Sequence, residues 1–230
     1  MRDTFPQLLV ENAARWGDTR VALREKEFGI WQSVTWAEYL RHVRHFCQGL
    51  VRLGLRRGDT VAIIGDNRPE WVYAELAAHA AGGKSVGIYQ DSVTREVAYI
   101  LTHSDARFIV VEDQEQVDKI LEIWPDLRGI EYVIYYDPKG MRGYGEPFLM
   151  DFRTVENLGQ AWEADHPGWF EASVGQGKAD DVCILSTTSG TTAEPKLAML
   201  TFDNLLSEGR NLLAIDPMSP GDNFVSFLPL

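Results

Sequence analysis

The stretch VAIIGDNRPEWVYAELAAHAAGGKSVGIY, residues 61–89, decides the fold. It opens on Val61-Ala62-Ile63-Ile64, a short continuous apolar run of the kind found in a strand buried on both faces. Asn67-Arg68-Pro69-Glu70 then starts a helix that stops at Gly82-Gly83. Residues 85–89 return to a strand pattern. Strand, crossover helix and second buried strand make one unit of a parallel sheet. The alternation continues outward, with a helix over 94–103, a strand over 108–111, a helix over 117–123 and a strand over 132–136. The expected fold class is α/β, a largely parallel β-sheet with helices on both faces.

Before this core, Thr4-Phe5-Pro6-Gln7 has the spacing of a helix N-cap with a capping-box Gln and Pro in the first turn. Phe5, Leu9, Ala13 and Trp16 follow at helical spacing, and Gly17 ends the helix. Residues 21–33 read as a hairpin turning near Phe28-Gly29, and Thr35-Trp36-Ala37-Glu38 is a second capping box. Beyond the core, 137–147 is a Gly- and Pro-containing loop, 152–162 a helix and 166–181 a second loop. A strand over 182–186 enters the segment 187–196, and Leu197-Ala198-Met199-Leu200 is the strand leaving it. Thr201 caps a helix to 213, and 223–230 reads as a strand. We expect residues 1–181 to form one α/β subdomain and 182–230 to open a second. From the apolar finish on Phe227-Leu228-Pro229-Leu230 we expect the second subdomain to be incomplete at its C-terminus.

The composition bounds the function. Of 230 residues, 45% are hydrophobic and 24% charged, enough apolar material for a substantial core. A formal charge of −12 argues against a broad nucleic-acid surface, which needs cations to neutralise phosphates. It does not bar a small polyanion, which a few N–H groups and one Lys can hold locally. Cys47 and Cys183 form no Cys-x-x-Cys pair, the N-terminus has no apolar signal core, and 71–89 is interrupted by Glu75, His79 and Lys84. These features predict a cytoplasmic protein with no integral membrane segment. Oligomeric state is not legible.

The chemistry lies in Thr187-Thr188-Ser189-Gly190-Thr191-Thr192-Ala193-Glu194-Pro195-Lys196. Gly190 permits a tight turn that brings amide N–H groups near an anion. Five hydroxyls can donate to phosphate oxygens, and Lys196 supplies a mobile positive charge. Charge-assisted bonds of this kind contribute about 1.5–3 kcal/mol each. Pro195 stiffens the exit. Gly190 and Lys196 are spaced as the first Gly and the Lys of a Walker A loop, but Pro195 takes the second Gly position and Leu197 replaces the Mg²⁺-holding hydroxyl. A strand also follows where a Walker loop needs a helix, so this is a strand–loop–strand phosphate site without a helix dipole.

Residues 188–196, with Met199-Leu200-Thr201 and Asn204, resemble the ATP-loop motif of the adenylate-forming (AMP-binding) superfamily. Gly65-Asp66-Asn67-Arg68-Pro69-Glu70-Trp71, Ala80-Ala81-Gly82-Gly83, Val86-Gly87-Ile88-Tyr89, Tyr99-Ile100-Leu101 and Val111-Glu112-Asp113-Gln114 are similar to its long-chain acyl-CoA synthetase branch. The resemblance implies ATP, Mg²⁺ and coenzyme A, with a fatty acid as the carboxylate. The carboxylate attacks the α-phosphate of ATP, pyrophosphate leaves, and the CoA thiol then displaces AMP. It implies phosphate binding by Thr188, Ser189, Gly190, Thr191, Thr192, Ala193 and Lys196, with Lys196 as the catalytic group. Ala193 and Leu197 depart from glycines of the broader family, and Phe202 stands where His is frequent. The family's Mg²⁺-holding acidic residue, ribose-binding Asp, hinge and C-terminal Lys fall outside these residues, so this chain alone is expected to be inactive.

Other candidates read more simply. No metal site is expected, since His42, His45 and Cys47 lack further ligands and no His-Glu-x-x-His spacing exists. The arginines 41, 44, 52, 56 and 57 read as a solvated helix face, His79 and His103 as structural, and Trp162 and Trp169 as packing. Asp66 and Asn67 end a parallel strand, where the resemblance favours helix capping over ligand binding. A non-catalytic nucleotide- or partner-binding homologue is the rival reading.

Overall fold

The computed structural model describes residues 3–188 and 196–226. Helix α1 (Phe5–Trp16) starts at Thr4, whose hydroxyl accepts from the Gln7 N–H, and ends at Gly17 with φ 47°. The Gln7 carbonyl reaches Asp3 N where a capping box would use Thr4 N, and its amide donates to Val174 O and Gly177 O. Strands β1 (Val21–Glu27) and β2 (Ile30–Thr35) form a separate antiparallel pair. Phe28 and Gly29 turn it with positive φ at both positions. Helix α2 (Trp36–Arg52) carries the capping box in full, Thr35 with Glu38.

The remaining strands are β3 (Thr60–Ile64), β4 (Lys84–Ile88), β5 (Ala106–Val111), β6 (Tyr132–Tyr135), β7 (Leu149–Asp151), β8 (Val182–Thr188) and β9 (Lys196–Thr201). They form one sheet ordered β7-β6-β5-β3-β4-β8-β9, parallel except for β9 against β8. Helices α3 (Pro69–Ala80), α4 (Thr94–His103), α5 (Gln114–Ile123), α6 (Phe152–Asp165), α7 (Trp169–Gly175) and α8 (Phe202–Ile215) complete the described elements. Alternation along the strands divides the core into two layers. Val61 and Ile63 join Phe108, Val110 and Ile134 under α1, α2, α3, α6 and α7. Ala62 and Ile64 join Val86, Ile109, Val111 and Leu185 under α4 and α5. Each buried Val, Leu, Ile or Phe among them contributes roughly 1.5–3 kcal/mol.

Three expectations change. Residues 169–175, read as loop, form α7, a helix of two turns bracketed by Gly168 and Gly175. Strand β7 was not legible in its three residues. Residues 223–226 are not a strand, and 227–230 lie outside the described residues. Segment 182–201 joins this sheet where β8 pairs with β4.

Helices α2 and α6 meet backbone to backbone. A Cβ on Gly159 would fall on the His45 carbonyl oxygen, and one on Gly49 would fall on the Val155 carbonyl. The close approach brings Phe46 and Phe152 into a stack at 3.9 Å between ring centroids. Alanine at a helical position ordinarily stabilises by up to about 1 kcal/mol over Gly. Here we predict that Gly159→Ala destabilises by about 1–3 kcal/mol, because the helices must separate. Urea unfolding checks this; an unchanged or higher midpoint would contradict the packing argument.

Candidate nucleotide-phosphate site

Strand β8 lies beside β4 with Ser85 opposite Ile184 and Val86 opposite Leu185. Its far end is Thr188, paired with Lys196 at the start of β9. The Thr188 hydroxyl donates to the Lys196 carbonyl at 3.3 Å, and both residues are exposed. The strand–loop–strand arrangement inferred from Pro195 and Leu197 therefore holds at both flanks. Ser189, Gly190, Thr191, Thr192 and Ala193 lie outside the described residues. Because β8 runs parallel to β4, Thr188 and Lys196 stand at the carboxyl edge of the parallel strands, where α/β sheets bind ligands.

The same edge holds a crevice the sequence did not disclose. The chain passes from β3 to β4 on one side and then to β5 on the other, so the loops after β3 and β5 diverge. A cavity of about 990 Å³ opens there, lined by Gly65, Asp66, Arg68, Glu70, Glu112 and Tyr136 among others. Arg68 Nε lies 3.0 Å from Glu25 Oε1, a charge contact rather than an aligned hydrogen bond. Its Nη1 is 3.5 Å from Glu112 Oε1, and Glu112 Oε2 accepts from Asp66 N at 2.7 Å. Burial raises the carboxyl pKa of Glu70 and Glu112 and pushes the Tyr136 phenol up. Gly65 is required here, since a Cβ would collide with the Tyr136 hydroxyl. The capping role expected of Asp66 and Asn67 is not seen. Arg68 occupies the N-cap without a side-chain bond, and Asn67 Nδ2 donates to Ser226 O at 3.2 Å.

A buried polar knot lies under the hairpin. His79 Nε2 is 2.9 Å from Cys183 O and 3.2 Å from Ser85 Oγ, which donates to Glu75 Oε1 at 3.0 Å. A carbonyl only accepts, so His79 carries its proton on Nε2. The ring stands edge-on to Phe202 at 5.4 Å and tilted against Phe5 at 6.5 Å. The other histidines pair locally. His42 Nδ1 is 2.6 Å from Glu156, His45 Nε2 is 3.6 Å from Glu163, and His103 stacks on Tyr99. Trp162 packs against His166 and Trp169. Among the described residues no cluster of His, Cys, Asp or Glu is arranged to hold a metal ion. No described helix is long and apolar enough to cross a membrane.

A sequence model of the AMP-binding enzyme family matches residues 9–230. The chain belongs to the AMP-binding enzyme family. Within it, the long-chain-fatty-acid–CoA ligase ACSBG2 of Xenopus laevis is 32% identical over 232 residues, covering 99% of this chain. The chain spans about 30% of that relative's length. The same fold occurs in a long-chain-fatty-acid–CoA ligase from Archaeoglobus fulgidus (TM-score 0.74, 22% identity, 96% of this chain and 41% of that one). It occurs again in o-succinylbenzoate coenzyme A synthetase from Bacillus subtilis in complex with AMP (TM-score 0.69, 21% identity, 96% and 49%).

Burial lowers the His79 pKa to about 4, outweighing the Cys183 carbonyl, which favours the charged ring. The unfolded chain protonates this residue near its ordinary value of about 6.5. Between these values the unfolded state binds the extra proton, so stability falls as pH drops through the window, by up to about 3 kcal/mol. Buried Glu75, with its pKa raised, acts in the opposite sense in parent and variant alike. His79→Gln is therefore expected to flatten the pH dependence of unfolding free energy between about pH 6.5 and 4. An unchanged slope would contradict the buried neutral histidine.

Proposed function

We propose that these residues form the phosphate-binding portion of an ATP-dependent, AMP-forming acyl-CoA ligase acting on long-chain fatty acids. The observation that carries the reading is the β8–β9 hairpin. It sets Thr188 opposite Lys196 at the sheet's carboxyl edge, in a chain of the AMP-binding family. Similarity to long-chain-fatty-acid–CoA ligases over almost the whole chain supports the substrate class. ATP, Mg²⁺ and coenzyme A are the proposed co-substrates and ion.

In this reading the segment 188–196 binds the β- and γ-phosphates while a carboxylate attacks the α-phosphate. Pyrophosphate leaves with the electron pair of the broken P–O bond. Lys196 offsets the charge that gathers on that leaving group, and the hydroxyls and N–H groups of 188–193 orient it. The CoA thiolate then displaces AMP. Mg²⁺ would enter as part of the MgATP substrate and would supply positive charge to the phosphates. Residues 1–181 are the proposed first subdomain and 182–230 the opening of the second, with β8 the strand they share. Both cysteines are free and buried, which suits a reducing compartment, and we place the protein in the cytoplasm.

Two outcomes test the reading. The 230 residues alone should give no ATP–pyrophosphate exchange, and robust exchange would overturn that part of it. In the longest natural chain carrying these residues, Lys196→Ala should slow pyrophosphate-forming turnover by about 10- to 100-fold, equivalent to one charge-assisted bond. Carboxylate binding should change little. Unchanged turnover would remove Lys196 from the mechanism and favour the rival, a non-catalytic nucleotide- or partner-binding homologue.

A further inference from the structure

The base of the phosphate hairpin contains an irregularity. Val182 stands opposite Thr201, but Ile184 stands opposite Leu200, so Cys183 is an extra residue in β8. A bulge takes one residue out of the ladder, and a buried carbonyl outside the ladder must find another donor. The donor is His79 Nε2, 2.9 Å from the Cys183 oxygen, with the Ser85 hydroxyl at 3.5 Å. On the other side the Cys183 thiol reaches Leu200 O at 3.5 Å. The His79 edge also packs on Phe202, the residue that follows β9. One buried ring thus touches the entrance of β8 and the exit of β9. Ser85 and, through it, Glu75 hold that ring in place.

We propose that His79 is a positioning residue for the phosphate loop. By occupying the Cys183 carbonyl it fixes the bulge, and the bulge fixes the register that sets Thr188 opposite Lys196. Slipping that register by one residue would turn the Lys196 side chain to the other face of the sheet. The proposal rests on the reading of residues 188–196 as the ATP-phosphate site.

The test is steady-state kinetics on the longest natural chain carrying these residues, with His79→Phe, His79→Gln, Ser85→Ala and Lys196→Ala side by side. Phe fills the ring's space without a donor, whereas Gln keeps an amide N–H close to the position of Nε2. His79→Phe should raise the KM for ATP about tenfold and leave that for the carboxylate within about twofold, the loss of one buried hydrogen bond. His79→Gln should recover most of the difference, and Ser85→Ala should fall between them. Amide exchange over β8 and β9 should be faster in His79→Phe, a readout that needs no turnover. The inference fails if His79→Phe leaves the ATP KM unchanged, moves both KM values together, or is matched by His79→Gln. It also fails if exchange over β8 and β9 is unaltered. Should His79→Phe not fold, Ser85→Ala decides, and an unmoved ATP KM there overturns the proposal. A silent Lys196→Ala would instead remove the phosphate-site reading itself.

Discussion

The chemistry proposed for this chain hangs on a short seam, where β8 joins the parallel sheet beside β4. Only Ser85 opposite Ile184 and Val86 opposite Leu185 are in register there. Among the described residues strand β9 has no second partner in the sheet, and Met199 is 70% exposed. An antiparallel pair attached by so few ladder positions needs support from side chains. Cys183, Leu185 and Phe202 supply it by burial, and His79 and Ser85 supply it by polar contact. The seam is therefore apolar on the α4–α5 side and polar on the α3 side.

The rest of the fold delivers that seam to a useful place. Parallel strands demand crossovers, and these cover the sheet with helices on both faces. They also collect every parallel strand's carboxyl end at one edge. Gly65, Glu112 and Tyr136 meet there, and Thr188 stands at the same edge on β8. The close α2–α6 crossing through Gly49 and Gly159 anchors the helical layer that carries α3. Helix α3 in turn holds His79 against the hairpin. Packing far from the β8–β9 hairpin is connected to it through one helix.

Local rules made much of this legible in the sequence. Thr35 and Glu38 are three residues apart, so their capping box could be read directly, and so could the Thr4 N-cap, although Gln7 bonds Asp3 N and leaves that box unclosed. Buried apolar runs at β3, β4 and β5 gave the parallel sheet. Pro195 and Leu197 pointed to strands on either side of the proposed phosphate segment, and β8 and β9 are those flanks. Helix α7 escaped because its bracketing glycines carry a loop signature and its seven residues are too few for periodicity. The knot around His79 escaped for a different reason. Its partner Cys183 is 104 residues away, and no local pattern announces that a strand bulge will need a donor. The Arg68–Glu112 crevice likewise joins ends of different strands, so for Asp66 and Asn67 the sequence favoured capping over ligand binding.

In the proposed function, the β8–β9 hairpin grips the outer phosphates of a nucleotide. Competition binding measures this most directly, with a fluorescent ATP analogue on the longest natural chain carrying these residues and with pyrophosphate and AMP as competitors. Pyrophosphate should displace the analogue, and Lys196→Ala should weaken pyrophosphate by about tenfold or more while sparing AMP. Binding that pyrophosphate cannot displace, or a Lys196→Ala variant that loses AMP and pyrophosphate equally, would contradict it.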